Sequence, residues 1–484
     1  MLKLLETKYL IPTIAISFVF TKNAMCQQRA WTNQISEANI FSSPRFTDLN
    51  KDGVKDVIIG AGIESTASDH GILALNGKNG EILWTVKSRS QVYTSALFQD
   101  VTKDGVSEVF IAGRDALFFC IDGSNGKVIW EFWPDAKGPA RKEGWLNFFV
   151  TQWIEDQDKD GYKDILTTNG GDYLALPNQR TRPTAQLMIL SGKTGKIIAS
   201  AKFPEQKESY YAPHTYVNKE NETMVIFGTG GETVDGALWE VSLKKLLKGD
   251  ISKAKEIVRD NKKGFILNTL QTDLNKDGNS DLITARMSSV LTAIDGSNYK
   301  TIWEHAFPGY ECYVTPSLGQ LTGDATPDVF TILAQGTFPL YTGFKLIVID
   351  GRSGEITWQE ESGFNQFSPA VHADLNADGT DEIIYVENTL IDQEKFVVVN
   401  QVRVIDLKNN ESRYLGPIRN GASMAASPGL IDLEADNSLE LIIATSSLVP
   451  EGSKPFSTVE RIDLKKMFNI SWNGYLGPEE NGKY

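Results

Sequence analysis

A nine-residue pattern recurs along this chain, with oxygen-bearing side chains at positions 1, 3, 5 and 9 and usually glycine at position 6. Five copies are complete: Asp48, Asn50, Asp52, Gly53, Asp56; Asp100, Thr102, Asp104, Gly105, Glu108; Asp156, Asp158, Asp160, Gly161, Asp164; Asp273, Asn275, Asp277, Gly278, Asp281; and Asp374, Asn376, Asp378, Gly379, Glu382. A sixth, Asp432, Glu434, Asp436, Asn437, Glu440, puts Asn where Gly stands elsewhere, and Asn also tolerates a positive φ. The seventh, Gln320, Thr322, Asp324, Ala325, Asp328, lacks both the first carboxylate and the glycine, which makes it the weakest.

The first positions lie 52, 56, 117, 47, 54 and 58 residues apart, so the double gap hides a decayed copy, placed at His214 to Glu222. Eight repeats with a period near 50 indicate a propeller, solenoid or array. Each complete loop precedes a β-branched run such as Val57-Ile58-Ile59 or Leu282-Ile283-Thr284. A second motif then follows in four repeats, an Asx-Gly turn with Trp eight residues after the Asx: Asn76 to Trp84, Asp122 to Trp130, Asp295 to Trp303 and Asp350 to Trp358. Ser191 to Ala199 keeps the spacing without the Trp. Short strands joined by such turns are hairpins, so each repeat reads as a four-stranded antiparallel unit that buries both faces only when packed radially against neighbours. The fold expected is an all-β propeller of eight four-stranded blades, with seven as the alternative count, and the Trp side chains pack between blades.

The loops resemble the FG-GAP/VCBS-type calcium loops of integrin-α-like β-propellers, and the Asx-Gly to Trp segments resemble the tryptophan-docking repeat of quinoprotein-like (PQQ-like) propellers. Together they cover nearly all of the chain after its leader. The resemblance implies a disc of blades around a central channel, in a family largely of secreted or cell-surface binding modules.

The loop chemistry points to Ca2+. That ion takes six to eight hard oxygen ligands, and alternate residues of a tight loop aim inward while position 7 lends its carbonyl. The expected position-7 residues are Val54, Val106, Tyr162, Asn279, Thr380 and Ser438. Asp, Asn and Gly are also plain turn formers, which is the competing account of the same residues. Several structural calcium ions are expected.

Residues 1–26 combine Lys3 and Lys8, an apolar run from Tyr9 to Phe20 and small side chains near Ala24, and so resemble a secretory signal peptide. Lipidation at Cys26 is the alternative. The expected organisation is a signal over 1–26 and one propeller domain over 27–484, secreted, periplasmic or at the cell surface. No later stretch is apolar over the length a membrane helix needs. Cys120 and Cys312, each in an apolar context, read as buried thiols. With 48 Lys+Arg against 62 Asp+Glu the chain is acidic, which argues against nucleic acid as partner.

Catalytic motifs are thin. An adjacent Cys pair, usual in quinoprotein dehydrogenases, does not occur, and the acidic residues are already assigned to loops. The functional expectation is a monomeric binding or scaffold module for a carbohydrate or an envelope or matrix protein. The rival is an enzyme, a quinoprotein-like oxidoreductase or a polysaccharide lyase. Three insertions interrupt the repeat: Trp133 to Trp145, with Pro134, Lys137, Pro139, Arg141 and Lys142; Asn169 to Pro183, with Tyr173, Arg180 and Arg182; and the Lys-rich Leu243 to Lys263, expected to be helical over Ile251 to Val258. The partner is expected on the face that bears them, around Trp133, Trp145, Tyr173, Arg180 and Arg182.

Overall fold

Eight antiparallel sheets, each of four strands or more, account for nearly all the regular structure. The computed structural model describes residues 28–133, 140–176, 178–211, 213–447, 454–464, 469–478 and 480–484. The expected signal over 1–26, with Cys26, lies outside the described residues, as do Pro134, Lys137 and Pro139 of the first insertion. Among the described residues no helix is long and apolar enough to cross a membrane.

The sheets are the blades of an eight-bladed propeller. Blade 1 is built from Arg45–Thr47, Asp56–Gly60, Ser68–Leu75 and Ile82–Ser88, in spatial order. The second strand is buried along its whole length, whereas the fourth alternates buried and exposed. That gradient follows from the ring: inner strands have a neighbouring blade on each face, and outer strands meet solvent. Core clusters accordingly lie between blades. Ile58, Ile72 and Ala74 of blade 1, for example, pack on Val109, Ile111 and Phe119 of blade 2.

The Trp residues do the inter-blade work expected of them. The ring N–H of Trp84 donates to the Gly123 carbonyl at 2.7 Å and that of Trp303 to Gly351 at 2.8 Å, each reaching the Asx-Gly turn of the next blade. A Cβ at Gly126 would come within 2.8 Å of the Trp84 ring, so only glycine lets the indole lie on that turn.

Ring closure was not foreseen. Gln28–Ser36, at the start of the described chain, pairs antiparallel with Phe456–Asp463 and is the outermost strand of the last blade. Its Trp31 donates to Gly77 of blade 1 at 2.9 Å, repeating the docking contact across the seam.

The channel is filled by the other end of the chain. Asn469–Trp472 adds a fifth strand to blade 7, beside Val371–Asp374. Beyond it the Asn473 carbonyl accepts from Leu430 of blade 8, the Tyr475 carbonyl accepts from Arg45 of blade 1, and Tyr484 and Lys483 lie beside Gln271 of blade 5. Trp472 is 1% exposed within this plug.

The decayed repeat is a full blade. His214–Val217 is its inner strand, and Asn218 to Glu222 closes as a short turn in which Asn218 N–H donates to the Glu222 carbonyl. The helix expected over Ile251 to Val258 is not formed. A one-turn helix spans Leu243–Leu246, and Lys255–Asp260 is the fourth strand of this blade, with Leu238 opposite Val258. The open edge of Gly236–Ser242 recruits the β-branched pair Ile257-Val258, and this tertiary demand overrides the helical propensity of the Lys-rich stretch. Both thiols are buried and unbridged, as expected.

Candidate functional site

Because strands alternate in direction, every nine-residue loop falls on one face of the disc, between the first and second strands of its blade. In the six better copies the first carboxylate accepts the N–H of position 6: Gly53 to Asp48 at 3.0 Å, Gly161 to Asp156 at 2.8 Å, Asn437 to Asp432 at 3.1 Å. The fifth accepts the N–H of position 7: Val54 to Asp52, Val106 to Asp104, Tyr162 to Asp160, Asn279 to Asp277, Thr380 to Asp378 and Ser438 to Asp436. Position 6 has φ between +82° and +92° in the five glycine copies, a conformation that explains the residue type.

Position 9 carries a separate duty. Asp56, Glu108, Asp164, Asp281, Glu382 and Glu440 are buried and each accepts the N–H of position 2, as in Leu49 to Asp56 at 2.8 Å. The second oxygen of Asp56 and Asp281 takes the glycine N–H of the Asx-Gly turn, and that of Asp164 takes the Gly192 N–H of the corresponding Ser-Gly turn. The two sequence motifs therefore meet in space.

Carboxylate oxygens of Asp100, Asp104 and Glu108 lie within 4.8 Å of one another, as do those of Asp156, Asp158 and Asp164. Position 3 of three other loops is the amide of Asn50, Asn275 or Asn376, whose oxygen accepts from the position-5 N–H at 2.9 Å in each. A third carboxylate trio is Asp324, Asp328 and Asp350, in the loop ranked weakest. Asp350 is the Asx of the following turn, and it replaces the carboxylate missing at Gln320. Asp295 and Asp406 approach Asn275 and Asn376 in the same way. In blade 1 the Asp48 Oδ1 atom is buried without a hydrogen-bond partner. Oxygens that share an ion at about 2.4 Å are separated by at most about 4.8 Å, so these groups fit a hard divalent cation.

The opposite face holds a pocket of about 180 Å³ on the ring axis. All eight blades or the linkers leading into them contribute. Phe41, Tyr93, Phe149, Tyr210, Tyr313 and Phe367 form the wall, and Tyr475 of the C-terminal plug lies beneath them, its hydroxyl donating to Asn268 Oδ1 at 2.9 Å. The rings brace one another: Tyr93 and Phe149 are 5.3 Å apart, Phe149 and Tyr210 5.0 Å, Tyr313 and Phe367 5.8 Å. These residues were missed in the sequence, although a signal was there. Phe41, Tyr93, Phe149, Tyr313 and Phe367 each stand seven residues before the first loop position of their repeat. Ile266 and Ala425 hold the same place in the Asp273 and Asp432 repeats.

Around the mouth, charged residues are sequestered in pairs. Arg182 stands 3.6 Å from Glu208, Lys263 pairs with Glu311, Arg141 with Asp172 at 2.8 Å, and Arg114 with Glu64 at 3.0 Å. Burial pushes the Glu208 carboxyl up to about 7 against the pull of Arg182. Arg114 lies over both Tyr93 and Tyr173. The first two insertions converge on this face: Trp145 and Tyr173 border one crevice, and Trp133 lies under Arg89. Arg182, expected as a free anchor, is a buried strut whose Nε donates to the Gln179 carbonyl, whereas Arg180 is exposed. Of the third insertion, the turn of helix Leu243–Leu246 lies on the loop face, between the third and fourth strands of its blade, whereas Lys263 reaches the mouth.

The family model of the FAM234A/B beta-propeller matches residues 31–378. Protein FAM234B of Mus musculus is 23% identical over 368 residues, which are 68% of this chain and 54% of that protein. Protein FAM234B of Homo sapiens is 22% identical over 346 residues, 64% of this chain and 51% of that protein. The chain thus spans about half the length of the curated relatives it matches. Among solved structures, quinohemoprotein alcohol dehydrogenase from Comamonas testosteroni has a TM-score of 0.56 at 11% identity, covering 91% of this chain and 77% of that one. A rhamnogalacturonan lyase has a TM-score of 0.51 at 13% identity, covering 94% and 81%. Both likenesses are of fold.

Proposed function

The chain belongs to the FAM234A/B β-propeller family, and on that footing we propose that it is a secreted or surface binding module, stabilised by calcium in FG-GAP/VCBS-type loops, whose partner docks at the axial pocket. The organisation proposed remains a signal over 1–26 and a propeller over 27–484. The observation that carries the docking site is the pocket itself: eight repeats converge on it, its walls are aromatic, and its floor is closed by Tyr475. Aromatic side chains offer large contact area at low entropic cost, which suits a carbohydrate or an envelope or matrix protein. For the quinoprotein-like rival, the residues do not fit the usual cysteine pair, since Cys120 and Cys312 are buried and apart in different blades. Glycan arrays and envelope pull-downs with the wild type and with Tyr93→Ala/Tyr313→Ala test the reading. Undiminished capture by a folded double variant places the docking site elsewhere.

Calcium would be held by positions 1, 3 and 5 of each loop, the position-7 carbonyl and the free lone pairs of position 9, and would supply cross-linking charge. The Asp350 contact changes the ranking of the loops. Asp324→Ala, Asp350→Ala and Asp277→Ala are each expected to lower bound calcium by one ion per chain; elemental analysis of the desalted proteins checks this, and an unchanged content in the first two removes the seventh site.

A pH signature follows as well. Burial pushes Asp56 and Asp328 up to about 6 and Glu382 and Glu440 up to about 7. A carboxyl raised in the folded state binds its proton more tightly folded than unfolded, so metal-free protein gains stability as pH falls from about 7.5 to about 5. Calcium needs the same groups deprotonated, so the loaded protein should show the opposite slope. Melting curves across that range with chelator and with calcium decide it; parallel slopes contradict the assignment.

A further inference from the structure

Resting on the reading that the axial pocket is the docking site, we propose that its ligand is an organic cation, with a quaternary or alkylated ammonium group held among the aromatic walls and an oxygen substituent near Asn268. The face of an aromatic ring is electronegative, and several rings around one small space attract a desolvated cation in a way a neutral group of the same shape does not exploit. Here the wall rings come from separate repeats and tilt against one another around an axial space open at its mouth, an arrangement that surrounds a compact head group rather than stacking on a flat one.

The charge around the mouth has the matching sign. Arg114, Arg141, Arg182 and Lys263 are each engaged by a carboxylate. Arg45, behind the plug, is engaged by Glu480 at 3.3 Å. Glu232 is the carboxylate left over. It lies beside Tyr313, is partly buried, and makes no ion pair within 4 Å among the described residues, although Arg182 and Lys263 are near enough for their charge to act on it. Burial raises it against the pull of Arg182 and Lys263, so it leans toward the neutral acid, and a cation bound beside Tyr313 would favour its ionised form.

Unpartnered polar atoms at the pocket complete the specification. The Asn268 Nδ2 and the hydroxyls of Tyr93 and Tyr313 are buried without hydrogen-bond partners, although all three residues line the cavity. An amide donor left unsatisfied calls for an acceptor, and a hydroxyl or carboxylate oxygen one or two carbons from the ammonium supplies it. Choline has both parts.

The test is calorimetric titration of the intact calcium-loaded protein with choline, with its neutral isostere in which carbon replaces the quaternary nitrogen, and with methyl glycosides. Choline is expected to bind about tenfold more tightly than the isostere, a cation–π margin for a desolvated site. Glu232→Gln should remove most of that margin and leave the affinity for the isostere unchanged, whereas Tyr93→Leu should weaken choline. Equal affinities for choline and isostere, or no binding of choline at millimolar concentration, overturn the proposal. Glycoside binding that Tyr93→Leu abolishes, with choline inert, keeps the pocket as docking site and rejects the cation. Choline binding lost in Tyr93→Leu, while a captured partner is unaffected, upholds the cation site and rejects the docking assignment. The isostere comparison uses only the wild type, so a variant that fails to fold does not spoil it.

Discussion

Removing Gln28–Ser36 is expected to abolish cooperative folding rather than merely lower stability. The strand supplies the outer edge of blade 8 and the ladder that joins the two ends of the chain, from Ser36 opposite Phe456 to Gln28 opposite Asp463. Trp31 and Ile35 are 7% and 2% exposed, and their burial is worth about 1.5–3 kcal/mol each. Without them Ile442, Ala444 and Val459 of the same core face water, and the unpaired edge becomes a template for association. A loss on this scale is comparable to the whole stability of an ordinary domain, about 5–15 kcal/mol. Circular dichroism melts and size exclusion of a chain beginning at Glu37 should show aggregation or a broad transition, and the peptide spanning the strand, added in trans, should restore a sharp one. Trp31→Ala alone should cost about 3–5 kcal/mol. A truncated protein that melts within a few degrees of the full one would mean that the ring closes without this strand.

The contrast between what the sequence revealed and what it hid follows the range of the interactions involved. Loops and Asx-Gly turns are local chemistry repeated in register, so the eight blades and the stacking of Trp84 and Trp303 could be read from spacing alone. Closure couples residues more than 400 apart, and no local pattern encodes that pairing. Trp31 was nonetheless an orphan of the docking rule, a Trp before the first loop with no Asx-Gly turn of its own. At the far end Trp472 follows no Asx-Gly turn at the eight-residue spacing, and it is buried in the channel plug opposite His372. A propeller with its outer strand already donated from the N-terminal side has no vacancy for a second one, so the last segment goes to the inner edge of blade 7. The axial aromatics were hidden for another reason. Their period is that of the whole repeat, and a ring seven residues ahead of a loop means nothing until the blades are closed into a circle.

Calcium chelation is expected to lower the melting temperature sharply. An ion that binds only the folded state stabilises it by RT ln(1 + [L]/Kd), about 2.7 kcal/mol per site at a hundredfold excess over Kd. Several sites acting together therefore approach the stability of the fold. The loops are suited to so large an effect because of what each one joins. Position 1 holds the turn through the position-6 N–H, position 9 clamps the start of the loop, and Asp350, Asp295 and Asp406 bring the second hairpin of the blade to the same point. Lys51 of the first loop also donates to the Asp104 carbonyl of the second, so neighbouring loops are linked around the rim. Without an ion, Asp156, Asp158 and Asp164 face one another across a few ångströms, and their repulsion opposes the very geometry the turn imposes. Blade 4, whose inner turn is the short Asn218 to Glu222 closure, supplies an internal control. Hydrogen exchange in chelator should deprotect the loop-bearing blades while the strands His214–Val217 and Thr223–Gly228 change least. An unchanged melt in EDTA, together with no metal by elemental analysis, would leave the loops as turns held by their own hydrogen bonds alone.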